Sequence, residues 1–379
     1  MRLIFVVQGH SEQDQIGYTA AAHQLLAEGS LDNLSFFFPL REYSQSKSWS
    51  DVWTALVKEA KATRPTCIFF QFLTYTADHI DILIDGLKSI PSKPLIMTSY
   101  GDPFSGNFLG PHPSFSYLEL ARNADINFIK AFGNCAKYLQ AKGVARLVFC
   151  PDGFCQNRFS PPPLPNTFNP SFDVCFVGSR NISNNPLSTF FYSGRTRQSL
   201  VALLQKEFGS SFRLFGRGWE GFESWQGPVS YADQLTAIRK CRTCFGGYPG
   251  SRDLLYHSDR VFAALISAVP FIDWDVPGLS WMLQNGDDWY PVSTPSQMIN
   301  QIKFLLSRDQ KLLQEKAHLA ALRAASRHSH YHRMRFMVRT ASLRWKAKDS
   351  RKTPPLPPFD FFLPEVDIQK ILPQILVGW

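Results

Sequence analysis

The chain has no long apolar run: nothing in it reaches the roughly 18 residues that a membrane-crossing helix needs. Its opening, Met1-Arg-Leu-Ile-Phe-Val-Val7, turns polar at Gln8-Gly9-His10, too soon for a secretory leader, so a cytoplasmic protein is expected. Cysteine is sparse and unpaired in pattern. Seven are spread over 379 residues, which excludes a secreted disulfide framework. Cys241-x-x-Cys244 has the spacing of half a zinc or redox site, but no second ligand pair follows it, so free thiols and no metal are expected. Charged residues are only 19% of the chain against 44% hydrophobic, which excludes a disordered polypeptide. No repeat of solenoid spacing is present.

Acidic residues are also short, 31 against 40 Lys and Arg, and the resulting net charge of +9 suits anionic partners. The surplus gathers from Lys316 to Lys352, where eleven cationic residues, among them Arg333, Arg335, Arg339 and Arg351, alternate with His328, His330 and His332. Such a stretch fits either a solvated helix face or a surface for a polyanion such as DNA.

What the chain does have is alternation. Leu3–Val7 is a short β-branched and aromatic run that stops near Gly9 and gives way to a helical pattern at Tyr18–Ala27. Similar runs at Thr66–Phe72, Pro94–Thr98, Ile126–Ile129 and Arg146–Cys150 alternate with helical stretches, which predicts a parallel sheet covered on both faces. A proline-dense break from Ser160 to Ser171 can join neither a helix nor a central strand. A second series follows, with strands at Asp173–Val177, Phe212–Phe215, Thr243–Gly246 and Pro270–Asp273, and helical stretches from 296 to 344. The expected division is an α/β domain over 1–160, a second over 171–340, and a tail over 341–379. That tail is apolar enough to pack on the body.

Three loops of the second half have the chemistry of phosphate sites. Phe176-Val-Gly178-Ser179 ends a strand, and a helix begins near Arg195, so backbone N–H groups and a helix terminus face one spot. Leu214-Phe-Gly216-Arg217-Gly-Trp219 runs from a strand into a flexible loop. His257-Ser258-Asp-Arg260 offers Ser258 as an N-cap and places Arg260 in the first helical turn, where a cation opposes the helix dipole and so suggests a ligand. Tight structural turns account for each glycine equally well, and packing accounts for Trp219.

Together with Pro270-Phe-Ile and Gly278-Leu, these segments resemble the C-terminal domain of GT-B glycosyltransferases of the group-1 type, and within it the CgeB-like branch. The resemblance covers 171–340 well and is fainter over 94–160. It implies two Rossmann-like domains facing across a cleft and a nucleotide-sugar donor, a UDP-sugar, on the second domain. The donor set it implies is Gly178, Ser179, Arg197, Gly216, Arg217, Trp219, Ser258, Arg260 and Gly278, with the diphosphate near Gly178, Arg197 and Arg260 and no further cofactor. Three positions depart from the family pattern. The donor-ribose Glu is Ala263, the Glu eight residues earlier is Leu255, and the glycine after the helix is Ala268.

The expected reaction is sugar transfer to an acceptor that the sequence does not identify, with DNA or another anionic polymer as one candidate. If configuration inverts, a first-domain base is required, and Asp102 and His10, each just after an apolar strand, come before Glu12 and Asp14. A nucleotide-sugar epimerase of the same fold, and a nucleic-acid-binding protein with a decayed transferase domain, are the alternative readings.

Overall fold

The computed structural model describes residues 1–71, 78–100, 113–163, 170–180, 189–246, 253–348 and 354–379. The first unit runs β1 (Arg2–Val6), α1 (Ile16–Ala27), β2 (Asn33–Phe37), α2 (Pro39–Ser46), α3 (Trp49–Thr63), β3 (Cys67–Gln71), α4 (Ile80–Lys88), β4 (Leu95–Tyr100), α5 (Phe115–Asn123), β5 (Ile126–Ile129), α6 (Asn134–Ala141) and β6 (Leu147–Phe149). Its strands pair in parallel in the order β6-β5-β4-β3-β1-β2. Strand β3, Cys67-Ile-Phe-Phe-Gln71, is buried along its whole length because helices cover both faces. Successive side chains feed two separate cores. Phe5 and Phe69 stack at 5.1 Å on one face, while Ile4 and Ile68 meet Trp53 on the other.

The second unit runs β7 (Phe172–Val177), α7 (Thr189–Phe208), β8 (Phe212–Phe215), α8 (Gln234–Ile238), β9 (Cys241–Phe245), α9 (Arg260–Ile266), β10 (Phe271–Trp274), β11 (Tyr290–Val292), α10 (Pro295–Leu306) and α11 (Gln310–Arg327). The sheet, in the order β11-β10-β9-β7-β8, is again parallel. Helix starts follow local chemistry: Thr294 and Gln297 cap α10 reciprocally, and Asp309 accepts from the N–H groups of Lys311 and Leu312 at the start of α11. The fold is thus α/β with two Rossmann-like units.

The chain crosses between the units twice, and the two crossings are paired. Phe154 N–H donates to His328 O at 3.0 Å, and His330 N–H donates back to Phe154 O at 2.9 Å. Gly153 permits this approach, since a Cβ there would lie 2.7 Å from the carbonyl oxygen of His328. After the second crossing α12 (His330–Lys346) packs on α1. A helix that begins before residue 340, the sequence-based limit of the second domain, therefore lies against the first unit. Its inner face of Met334, Met337, Val338 and Ala341 joins the core cluster that runs through both units.

The tail then returns to the first sheet. Phe361 and Phe362 pack on Phe149, and after α13 (Ile368–Ile375) the short strand β12 (Leu376–Val377) pairs antiparallel with β6. Among the described residues, no helix is long and apolar enough to cross a membrane.

Candidate functional site

At the carboxyl edge of the second sheet the loops after β7 and β8 touch backbone to backbone. Gly216 has φ +134°, and a Cβ there would stand 2.3 Å from Gly178 O, so only glycine fits. A side chain on Gly178 would meet the Phe176 ring at 2.8 Å and the Arg260 guanidinium at 3.3 Å; its absence lets Arg260 lie across the loop. Arg197, from α7, is 5% exposed and donates to Ser179 O at 3.2 Å. Gly178, Ser179, Arg197 and Arg260, from three separate segments, are therefore brought together.

Beside them is a cavity of about 70 Å³, whose wall includes Arg197, Arg260, Gly246, Tyr256, Ser258 and Asp273. Asp273, at the end of β10, accepts from the Trp274 N–H at 2.8 Å. Its carboxylate fills the space a side chain on Gly246 would need, 2.0 Å from an ideal Cβ. Burial pushes the Asp273 carboxyl up to about 7, against the pull of the Trp274 N–H, Arg260 and Arg197. Burial, and then repulsion from Arg260, brings Arg197 down to about 10. Two guanidinium groups sharing a partly desolvated corner are poised for an anion with two charged centres.

Other members of the expected donor set are placed differently. Trp219 is wholly buried, edge-on to Phe176 and Phe222, and its indole N–H donates to Gly178 O at 2.7 Å. It shapes the loop from beneath and presents no open ring face to a ligand, because packing claims both its sides. Ser258 does not cap α9. Asp259 holds the N-cap position, and the Ser258 hydroxyl instead faces Arg260 Nε at 3.4 Å. Arg217 is exposed, its backbone N–H donating to Ser179 Oγ at 3.4 Å. Gly278, at φ +81°, lies against Leu254 and Leu255 and does not itself line the cavity, although its neighbour Leu279 does.

The three departures have structural consequences. Ala263 puts a methyl group on the cavity wall. Leu255 and Ala268 are buried at φ +65° and +57°, conformations that cost a residue with a Cβ about 1–2 kcal/mol.

A larger cavity of about 400 Å³ opens between the units, with Asp14, Gly17, Lys130, Asp152 and His330 on one side and Tyr256, Ser258 and Asp259 on the other. Tyr256 and Ser258 line both cavities, so the anion corner and the cleft adjoin. Lys130 and Asp152 form an ion pair with side chains only 9% and 14% exposed. From the sequence Asp152 stands only within Pro151-Asp-Gly153, a segment that faintly resembles the family, and Lys130 carries no reading, although each follows a strand, β5 and β6, at the sheet edge where α/β folds place ligands. His330 stacks on Tyr18 at 4.1 Å, and burial brings its imidazole down to about 3, so it stays neutral. His10 is exposed and off the cavity wall, its N–H donating to Asp14 Oδ2 at 2.7 Å. Asp102 lies outside the described residues.

The basic stretch does not form one open cationic face. Arg333 is wholly buried, donating to Asp152 O at 3.0 Å, to Arg327 O and to His328 Nδ1. Lys316 pairs with Asp287, Arg323 with Asp288 and Arg335 with Asp360, while Lys348 donates to Lys93 O. Folding brings acids from distant segments to these cations. Arg351 and Lys352 lie outside the described residues. Among the described residues all seven cysteines are buried free thiols, and no group of three His, Cys, Asp or Glu side chains is placed to hold a metal.

Residues 195–339 match the family model described as glycosyl transferase-like, the span that carries Arg197, Arg260 and Asp273. The fold is that of the GT-B glycosyltransferases. HepE of Anabaena, solved with UDP-glucose, superposes with a TM-score of 0.54 over 90% of this chain and 99% of its own, at 14% identity. A glycosyltransferase of Rickettsia africae gives 0.57 over 93% and 99%, at 12% identity. An alpha-glucosyltransferase (AGT) solved with UDP gives 0.55 over 85% and 95%, at 12% identity. At these identities the likeness speaks for the fold. No curated protein matches the sequence.

Proposed function

We propose that this GT-B chain is a glycosyltransferase that moves a sugar from a UDP-sugar to an acceptor hydroxyl in the cleft. The observation that carries the reading is the convergence of Arg197 and Arg260 on the Gly178 loop, beside the cleft cavity. The departing group of such a donor is a nucleoside diphosphate, and preorganised cations where negative charge develops lower the barrier to its departure. The match of 195–339 to a glycosyl transferase-like family and the UDP-glucose held by HepE support the donor class.

The donor binds the second unit, with its diphosphate against Arg197 and Arg260 and the backbone of Gly178 and Ser179. The acceptor enters from the side of the first unit. The test is a thermal-shift panel of UDP, UDP-glucose, UDP-N-acetylglucosamine and GDP-mannose, since a ligand of the folded state alone raises the melting temperature. UDP and at least one UDP-sugar are expected to raise it, and Arg260→Ala is expected to remove the shift. No response to any nucleotide would end the reading. Interconversion of a UDP-sugar without an acceptor would move the assignment to an epimerase.

A further inference from the structure

We infer that Asp273 belongs to the donor site and couples it to pH: a UDP-sugar entering the corner of Arg197 and Arg260 takes up a proton from solvent, which neutralises this carboxylate. The inference rests on the glycosyl-transfer reading above. Asp273 reaches the corner by strand alternation. On β10 Ile272 and Trp274 join the core formed with α7 and α10, while Phe271 and Asp273 face the other way and line the cavity. Gly246, without a side chain, leaves the room that the carboxyl occupies.

The carboxyl is poorly partnered for its depth. It is only 9% exposed, and among the described residues it joins no ion pair; its hydrogen bond there is the one that Oδ1 accepts from the Trp274 N–H. Burying a carboxylate in this state weakens a fold, so its place in a ligand cavity marks it as functional. Charge balance says what it does. With Asp273 ionised, the corner of Arg197, Arg260 and Asp273 carries one net positive charge against the two negative charges of a diphosphate diester. With Asp273 protonated it carries two, and an O–H replaces a carboxylate beside the anion. An arriving diphosphate repels the ionised form and favours the neutral one, so donor and proton bind with positive coupling.

The groups facing Asp273 are Arg197 of α7, Arg260 of α9, Cys244 of β9, and Tyr256 and His257 of the loop before α9. Burial raises the Cys244 thiol well above its ordinary value and brings His257 down to about 3, so both stay neutral between pH 6 and pH 8. Arg197, at about 10, stays cationic. Burial holds the free Asp273 carboxyl at about 7, above the pull of the Trp274 N–H, Arg260 and Arg197. Donor affinity is therefore complete below about 7 and is lost as pH rises through that value, where the proton must be taken up on binding.

The test is calorimetry on the full chain with UDP-glucose, whose diphosphate is esterified at both ends and keeps its charge across this range. Titrations at pH 8 in HEPES and in Tris, buffers of different ionisation enthalpy, are expected to show uptake of about one proton per donor bound, and affinity is expected to fall about tenfold from pH 6 to pH 8. Asp273→Asn keeps the shape but cannot ionise. It is expected to bind without proton uptake, with affinities at pH 6 and pH 8 within about twofold of each other, and at pH 8 to bind about tenfold more tightly than the parent. Asp273→Ser, which removes the carboxyl with less bulk, is expected to lose the uptake as well. No uptake by the parent, uptake that persists in both variants, or weaker binding by Asp273→Asn at both pH values overturns the inference; the last outcome would make Asp273 an ionised acceptor for donor hydroxyls. Each of these leaves UDP-glucose bound and glycosyl transfer standing. A parent chain that binds UDP-glucose at neither pH overturns both.

Discussion

The indole N–H of Trp219 donates to the carbonyl of Gly178 across 2.7 Å, and the ring beneath that bond has no solvent exposure. The carbonyl belongs to the loop that Arg260 crosses, so a core residue fixes the backbone of the anion corner without touching what binds there. Trp219→Phe removes the donor and part of the ring volume. It is expected to cost about 2–4 kcal/mol in urea unfolding, from an unsatisfied buried carbonyl and a cavity, and also to weaken UDP binding. Full stability with normal UDP affinity would show that the loop holds its shape unaided.

Arg260→Ala should weaken UDP binding by about 1.5–3 kcal/mol, the range for a charge-assisted hydrogen bond, with little effect on folding. Arg197→Ala should weaken it similarly, but it also opens space where a side chain only 5% exposed had packed. Calorimetry on both variants separates the two. Unchanged affinity in Arg260→Ala would remove that residue from the site.

Asp273 sets a pH dependence whose sign follows from burial. Its carboxyl is raised to about 7 in the folded chain, well above the usual range of an aspartate near 3.8. Its contribution to stability is therefore complete below about pH 4 and is lost as pH rises through about 7. His257 and His330, brought down to about 3 by burial, act oppositely: their contribution is complete above about 6.5 and is lost as pH falls. Asp273→Asn should therefore gain stability relative to the parent between pH 5 and pH 8, by more than about 1 kcal/mol, since a tenfold change in proton affinity is worth about 1.4 kcal/mol. Denaturant unfolding at both pH values checks it. A difference that does not change with pH would mean that the carboxyl titrates normally.

Ala268→Gly should stabilise the chain by about 0.5–1 kcal/mol, because Ala268 sits at φ +57° at the end of α9, where glycine carries no Cβ penalty. A rise in the urea midpoint at constant slope would show it. A fall would mean that the buried methyl group packs better than the backbone strain costs.

Much of this molecule is local in origin, and what is local could be read directly. Alternating apolar and helical runs give most strands and helices of both sheets, the edge strands β2 and β11 excepted, because the periodicity of burial is a property of neighbouring residues. Gly178 and Gly216 were visible for the same reason: each ends a strand, and each is a place where the backbone must come close to something. Whether Trp219 packs or meets the donor was left open, and the return of α12 to the first unit was not visible, since a residue's neighbours in sequence do not say which surface will bury it. The basic stretch shows the same limit. As a sequence it is a block of positive charge, but Asp287, Asp288 and Asp360 reach it only when the chain has folded. Lys130 and Asp152 become a pair only because β5 and β6 lie side by side. Composition and pattern determined the layers, while tertiary contact decided which charges cancel and which are left facing the cleft, because an ion pair depends on distance in space and the sequence specifies only distance along the chain.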